Sequence, residues 1–147
     1  MSSLNSLELQ KLYIAFFGRP CDPSGMNYWL SKKNEKLNLI DMAKSLSIQE
    51  EYKQNLTSSN SIEFQINQLY SNLFARKADF ESLNYWSAKL KKGELNIYDL
   101  AYILTRSEED NKETTHKISS EDFDVLDKKV KAAELFTNQI STSISWI

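Results

Sequence analysis

Apolar residues recur at helical spacing along most of the chain. Leu9, Leu12, Tyr13, Phe16 and Phe17 stand at i, i+3, i+4, i+7 and i+8, the stripe of an amphipathic helix. Gly18 follows as a left-handed stop, and Asp22-Pro23 reads as an N-cap with proline at the first helical position. The next predicted helix sets Met26, Trp29 and Leu30 on one face and is closed by the polar run Ser31 to Lys36. Asn38 with Asp41 starts a third, with Met42, Ala43 and Leu46 inward, and Ser47 with Glu50 has the form of a capping box for a short helix or turn.

The same punctuation then returns. Leu12-Tyr13, Phe17, Arg19, Asp22 and Asn27-Tyr28-Trp29 are matched, 57 positions on, by Leu69-Tyr70, Phe74, Arg76, Asp79 and Asn84-Tyr85-Trp86. After a one-residue slip, Leu37-Asn38, Asp41, Ala43, Leu46 and Glu50-Glu51 match Leu95-Asn96, Asp99, Ala101, Leu104 and Glu108-Glu109. The second copy has its own stripe (Ile62, Ile66, Leu69, Tyr70, Leu73, Phe74), a helix capped by Asp79 with Leu83, Trp86 and Leu90 inside, a stop at Gly93, and a helix opened by Asn96 and Asp99. Thr105 with Glu108 repeats the capping-box form. A motif duplicated within one chain points to a structural unit used for packing or assembly.

From Asn111 to Glu121 the chain is polar and rich in Ser and Thr, the composition of a linker. Phe123 to Ile140 then has a helical pattern, with Leu126, Val130, Ala133 and Phe136 on one side. The closing Ser-Thr-Ser-Ile-Ser-Trp-Ile alternates, and its Trp146 and Ile147 suggest a chain that continues or an end that docks on a neighbour. The expectation is therefore an all-α protein: two related helical repeat units, 1–56 and 57–112, forming a compact bundle. Residues 113–147 supply a polar linker and a C-terminal helix, which would be the start of a longer chain if more sequence follows.

Composition narrows the function classes. With 147 residues the chain can bury one reasonable core, and 12% aromatic residues must largely fill it. Three glycines and two prolines fit helices better than a barrel. The net charge of −2 is well mixed and suggests no general affinity for nucleic acid. A single cysteine, Cys21, excludes an internal disulfide and a multi-cysteine zinc site. No apolar run approaches the ~20 residues of a membrane span, and the N-terminus lacks the basic and apolar regions of a cleaved signal.

Several residues invite a chemical reading. Arg19 and Arg76 occupy the same turn in both copies and offer guanidinium forks for phosphate or acidic sugar groups. The architectural reading, in which each satisfies carbonyls or a nearby carboxylate, weighs more because repeated residues are usually architectural. Asp22 and Asp79 are better explained as N-caps than as calcium ligands, one carboxylate per loop being too few. Trp29 and Trp86 fall on the leucine faces, whereas Tyr28 and Tyr85 sit beside them, so a sugar-stacking aromatic would be a tyrosine. Lys32, Lys33 and Lys36, then Lys89, Lys91 and Lys92, make an anion-facing edge or merely favourable charges at helix C-termini. His116, the only histidine, lies in the linker, and Cys21 stands beside a helix start that can favour a thiolate. No P-loop, dinucleotide fingerprint or His-based metal motif is present; no enzyme activity, cofactor or metal is expected.

The string Leu12-Tyr13-x-x-x-Phe17-Gly18-Arg19-x-x-Asp22-x-x-Gly25-x-x-Tyr28-Trp29 resembles the DUF4214 domain of bacterial S-layer and type I-secreted surface proteins. The second copy resembles it more loosely, with Ala75, Lys77 and Ser82 in place of Gly18, Pro20 and Gly25. Lys128-Lys129-Val130-Lys131-Ala132-Ala133 with Phe136-Thr137 is similar to a stretch that often follows such repeats. Gly93-Glu94-Leu95-Asn96-Ile97, with Leu100 and Ser107-Glu108, is also similar to phycobilisome linker domains, which are scaffolds. The resemblance implies a non-enzymatic, secreted or cell-surface anchoring module without a cleaved N-terminal signal. Its partner would be lipopolysaccharide or another anionic surface glycan, held by Arg19, Tyr28, Lys32, Lys33, Arg76, Tyr85 and Lys89. The alternative is a protein–protein assembly or scaffolding module, self-assembling into an oligomer or lattice, or cytoplasmic if of the linker type.

Overall fold

Asn5 accepts the backbone N–H of Glu8 and so starts α1 (Ser6–Phe17), which stops at Gly18 in the left-handed conformation, φ 66°. Asp22 caps α2 (Pro23–Ser31), with proline at its first turn. A reciprocal box between Asn38 and Asp41 opens α3 (Leu39–Ser47), and a short α4 (Glu50–Gln54) follows. The second unit repeats the order with α5 (Ile62–Phe74), α6 (Phe80–Lys91) and α7 (Ile97–Thr105), started by Ser61, Asp79 and Asn96. The last helix, α8, runs Ser120–Ser145. This computed structural model describes residues 5–32, 38–54, 61–106 and 118–145, with the backbone alone for 50, 54 and 139–145. Among them there are eight helices and no strand, and the fold is all-α.

Like helices pair across the repeat. α1 packs on α5 and α3 on α7, while α8 lies against α1, α5 and α2. α1 is the hub, also touching α7, α3, α2 and α4. For this reason its buried surface exceeds the expected stripe: Gln10, Ile14 and Ala15 are buried with Leu9, Leu12, Tyr13 and Phe16, while Phe17 is half-buried. One continuous apolar core takes Leu12, Phe16, Met42 and Leu46 from the first unit, Leu69, Leu73, Leu100 and Leu104 from the second, and Leu126 and Val130 from α8. Large side chains buried in this way each contribute about 1.5–3 kcal/mol.

Three sequence expectations need correction. The short helix expected after Ser47 is present as α4, but it begins at Glu50 and Ser47 is not its cap: Ser47 is the last residue of α3, and its hydroxyl donates back to the Lys44 carbonyl at 2.7 Å. Thr105 likewise ends α7, its hydroxyl donating to the Tyr102 carbonyl at 2.7 Å, and its expected partner Glu108 lies outside the described residues. The end of the expected linker belongs to the packed structure: Ile118 is buried, and Ser119 with Asp122 forms a capping pair that starts α8 before Phe123. On α8, the inward stripe of Leu126, Val130 and Ala133 continues through Thr137, while Phe136 is 47% exposed. The polar run 33–37, Glu108 and Glu109, His116 and Trp146-Ile147 lie outside the described residues.

Candidate functional site

Arg19 and Arg76 sit just after the left-handed residues that end α1 and α5, Gly18 and Ala75. The turn aims each guanidinium back over its own helix, 5.7 Å from the Tyr13 ring and 5.3 Å from Phe17 for Arg19, 5.3 Å from Tyr70 for Arg76. Each then forks onto one carboxylate. Arg19 donates through Nε and Nη2 to Glu51 at 2.8 and 2.6 Å, and Arg76 does the same to Asp122 at 2.8 and 2.6 Å. The remaining Nη1 of each holds the next carbonyl, that of Pro20 or Lys77, at 2.9 Å.

Both acids respond to this pairing. The Arg19 hydrogen bonds hold the Glu51 carboxyl below its ordinary range. Burial pushes Asp122 up, but its bonds to Arg76 and to the Ser119 N–H outweigh that, and the net direction is down. Both forks are thus committed to internal partners.

A second duplicated feature lies on α2 and α6. The indole N–H of Trp29 donates to the Tyr13 hydroxyl at 3.1 Å, and that of Trp86 to Tyr70 at 2.9 Å. The two indoles are core residues that lock each second helix to its first. Tyr28 and Tyr85 stand nearly perpendicular to them, at 5.1 and 4.9 Å between ring centroids. One turn on, the ammonium groups of Lys32 and Lys89 lie 5.2 Å from the Tyr28 and Tyr85 centroids. Tyr28 is 54% exposed and Tyr85 is half-buried. Lys89 is also 3.5 Å from Glu94. Each ledge therefore combines a tyrosine ring packed on a buried tryptophan with a cation beside it. Lys33, expected at the same edge, lies outside the described residues, and Lys91 is engaged by Glu63 at 2.6 Å.

Buried polar groups that pattern reading passed over complete the picture. Gln10 accepts the Cys21 N–H at 3.0 Å and donates to Thr137 at 2.8 Å, and Thr137 donates to the Cys21 carbonyl at 2.5 Å. Asn67, half-buried, likewise accepts the Ala78 N–H at 3.0 Å. The available signal was an amide at the same place in both copies. Cys21 is buried, and burial pushes its thiol up to about 12, the opposite of a helix-start thiolate. Asp22 and Asp79 accept the N–H groups of Gly25 and Ser82 and are N-caps. Among the described residues, no three of His, Cys, Asp and Glu gather where they would hold a metal ion.

The fold and its paired features define a class, an all-α module built on an internal repeat. The family model described as "Domain of unknown function (DUF4214)" matches residues 40–114, over half of the chain, and the chain belongs to that family. The match runs from α3 through α7, so it takes in the looser second copy of the motif and leaves Leu12 to Trp29 outside it. No curated protein and no solved structure matches the chain.

Proposed function

We propose that this is a non-enzymatic cell-surface anchoring module that binds lipopolysaccharide or another anionic surface glycan through its two tyrosine–lysine ledges. The observation that carries the reading is the duplicated placement of Tyr28 with Lys32 and Tyr85 with Lys89, each backed by a buried tryptophan. An aromatic surface beside a cation suits a sugar ring bearing phosphate or carboxylate. Arg19 and Arg76 leave the ligand set in this reading and become structural, because their forks are satisfied within the chain. Two weak sites gain from acting together, and their attraction to anions falls with salt. The S-layer or secreted setting belongs to the same proposal. No helix among the described residues is long and apolar enough to cross a membrane.

The test is co-sedimentation of the purified chain with stripped cell envelopes and with extracted lipopolysaccharide, at low and high salt. Retention is expected at low salt and lost at high salt. Tyr28→Ala should weaken it more than Tyr85→Ala, since Tyr28 is the more exposed ring. No retention at either salt would sink the reading. The rival, a protein–protein assembly module, draws support from Phe80 at 81%, Ile48 at 66% and Leu135 at 63% exposure. Sedimentation that shifts with protein concentration, in the absence of glycan, would favour it.

A further inference from the structure

Between the C-terminal end of α1, the turn after it and α8 lies an open cleft of about 390 Å³, within the roughly 300–1,000 Å³ of small-molecule sites. Its walls are apolar, from Ile14, Pro20, Ala132, Ala133 and the half-exposed ring of Phe136. Its polar end holds Lys129. Two N–H groups of that ammonium go to the carbonyls of Asn72, at 2.7 Å, and Ser71, at 3.4 Å, at the end of α5. Among the described residues no carboxylate meets it. The guanidinium of Arg19 also borders the cleft but is spent on Glu51. The second unit has Ser71, Ala75 and Lys77 where the first has Ile14, Gly18 and Pro20, so the repeat does not reproduce these apolar walls.

We infer that this cleft binds a small amphipathic carboxylate, its head on the third N–H of Lys129 and its apolar tail against Ile14, Pro20 and Phe136. Charge decides the occupant: an apolar wall alone accepts any greasy group, whereas an ammonium without a carboxylate partner selects an anion. Burial lowers the Lys129 pKa, the direction expected for an ammonium lacking a counter-charge, and a bound carboxylate would reverse it. The site is distinct from the tyrosine–lysine ledges and does not depend on the glycan reading.

The experiment is calorimetric titration of the full chain with sodium octanoate below its micellar range, with octyltrimethylammonium as the opposite-charge control. Saturable one-to-one binding of octanoate alone is expected. Lys129→Met should weaken it at least tenfold. Because that change also removes a cap from α5, Ala132→Trp provides the second variant, filling the cleft from its exposed rim without touching the core. It should abolish binding at an unchanged melting temperature. The inference is overturned by absence of saturable octanoate binding, by equal binding of the cationic control, or by wild-type affinity in Ala132→Trp.

Discussion

In the first unit Arg19 meets Glu51, an acid 32 residues away whose side chain is 42% exposed; in the second, Arg76 meets Asp122, 46 residues away and 5% exposed. The neighbouring aromatics follow suit. Tyr52, next to Glu51, stacks edge-on to Phe16 at 5.1 Å, and Phe123, next to Asp122, stands edge-on to Phe74 at 6.5 Å. An acid followed by an aromatic serves both arginines, once from the short α4 and once from the first turn of α8, although the aromatic meets Phe16 in one copy and Phe74, the counterpart of Phe17, in the other. In the repeat, Glu51-Tyr52 corresponds to Glu109-Asp110, which has lost the aromatic. α8 thus supplies to the second unit what the second unit's own sequence lacks. The same arginine is a local clasp in one copy and the fastening of the C-terminal helix in the other.

The widest predicted gap between the copies comes from deleting the two acids. Asp122→Ala is expected to cost about 3 kcal/mol in urea unfolding. It strands Arg76 and removes the Ser119 cap, and it sits at the low end for a broken buried pair because Arg76 is about a third exposed. A loss below about 1 kcal/mol would show that α8 is held by its apolar face alone.

Acid titration sharpens the same point. Asp122 and Glu51 both titrate below their unfolded values, so their contribution is complete above about pH 5, starts to fall as pH drops past the unfolded values, and is gone below the folded ones. Asp122→Asn should flatten that acid-side fall in stability; an unchanged pH profile would assign it to other carboxylates.

The helix stops give the next contrast. Gly18→Ala should cost about 1–2 kcal/mol, because φ is +66° and a Cβ would stand 2.9 Å from Asn72 Oδ1. Ala75 already occupies the left-handed region at φ 59°, so Ala75→Gly should stabilise by about 0.5–1 kcal/mol. Opposite signs in chemical denaturation would verify that both turns carry the same constraint. Smallest is Glu51→Ala, about 0.5 kcal/mol, since both members of that pair are some 40% exposed. A cost matching that of Asp122→Ala would erase the distinction between the clasps.

Much of this was legible along the chain. Helix starts at Asp22, Asn38, Asp79 and Asn96 and stops at Gly18 and Gly93 are local events, settled by a side chain within three residues or by a backbone that tolerates positive φ. The tryptophans were placed inside by their spacing. The formal box at Ser47 marked the short α4 but not its cap, because a hydroxyl at the end of a helix finds the preceding carbonyl first. Gln10 and Thr137 were passed over because their polarity hides positions that burial selects, and the half-buried Asn67 because its role is a single bond to a distant backbone N–H. Of the expected ligand residues, the tyrosines and Lys32 and Lys89 come together in pairs, while each arginine is taken up by a carboxylate of the same chain.

Periodicity, caps and the internal repeat were sufficient to determine an all-α chain in two related units, since these depend on residues within a turn or two of one another. Which carboxylate each arginine would meet was decided by where α4 and α8 come to lie; that α1 would be enclosed on most sides was decided by the packing of α5, α7, α3 and α8 around it, and that Lys129 would end beside an apolar cleft by the packing of α8 across α1 and α5. Those contacts join residues far apart in the chain. Their energies come from burial and forked hydrogen bonds that exist only once the helices are in place, so no local pattern records them.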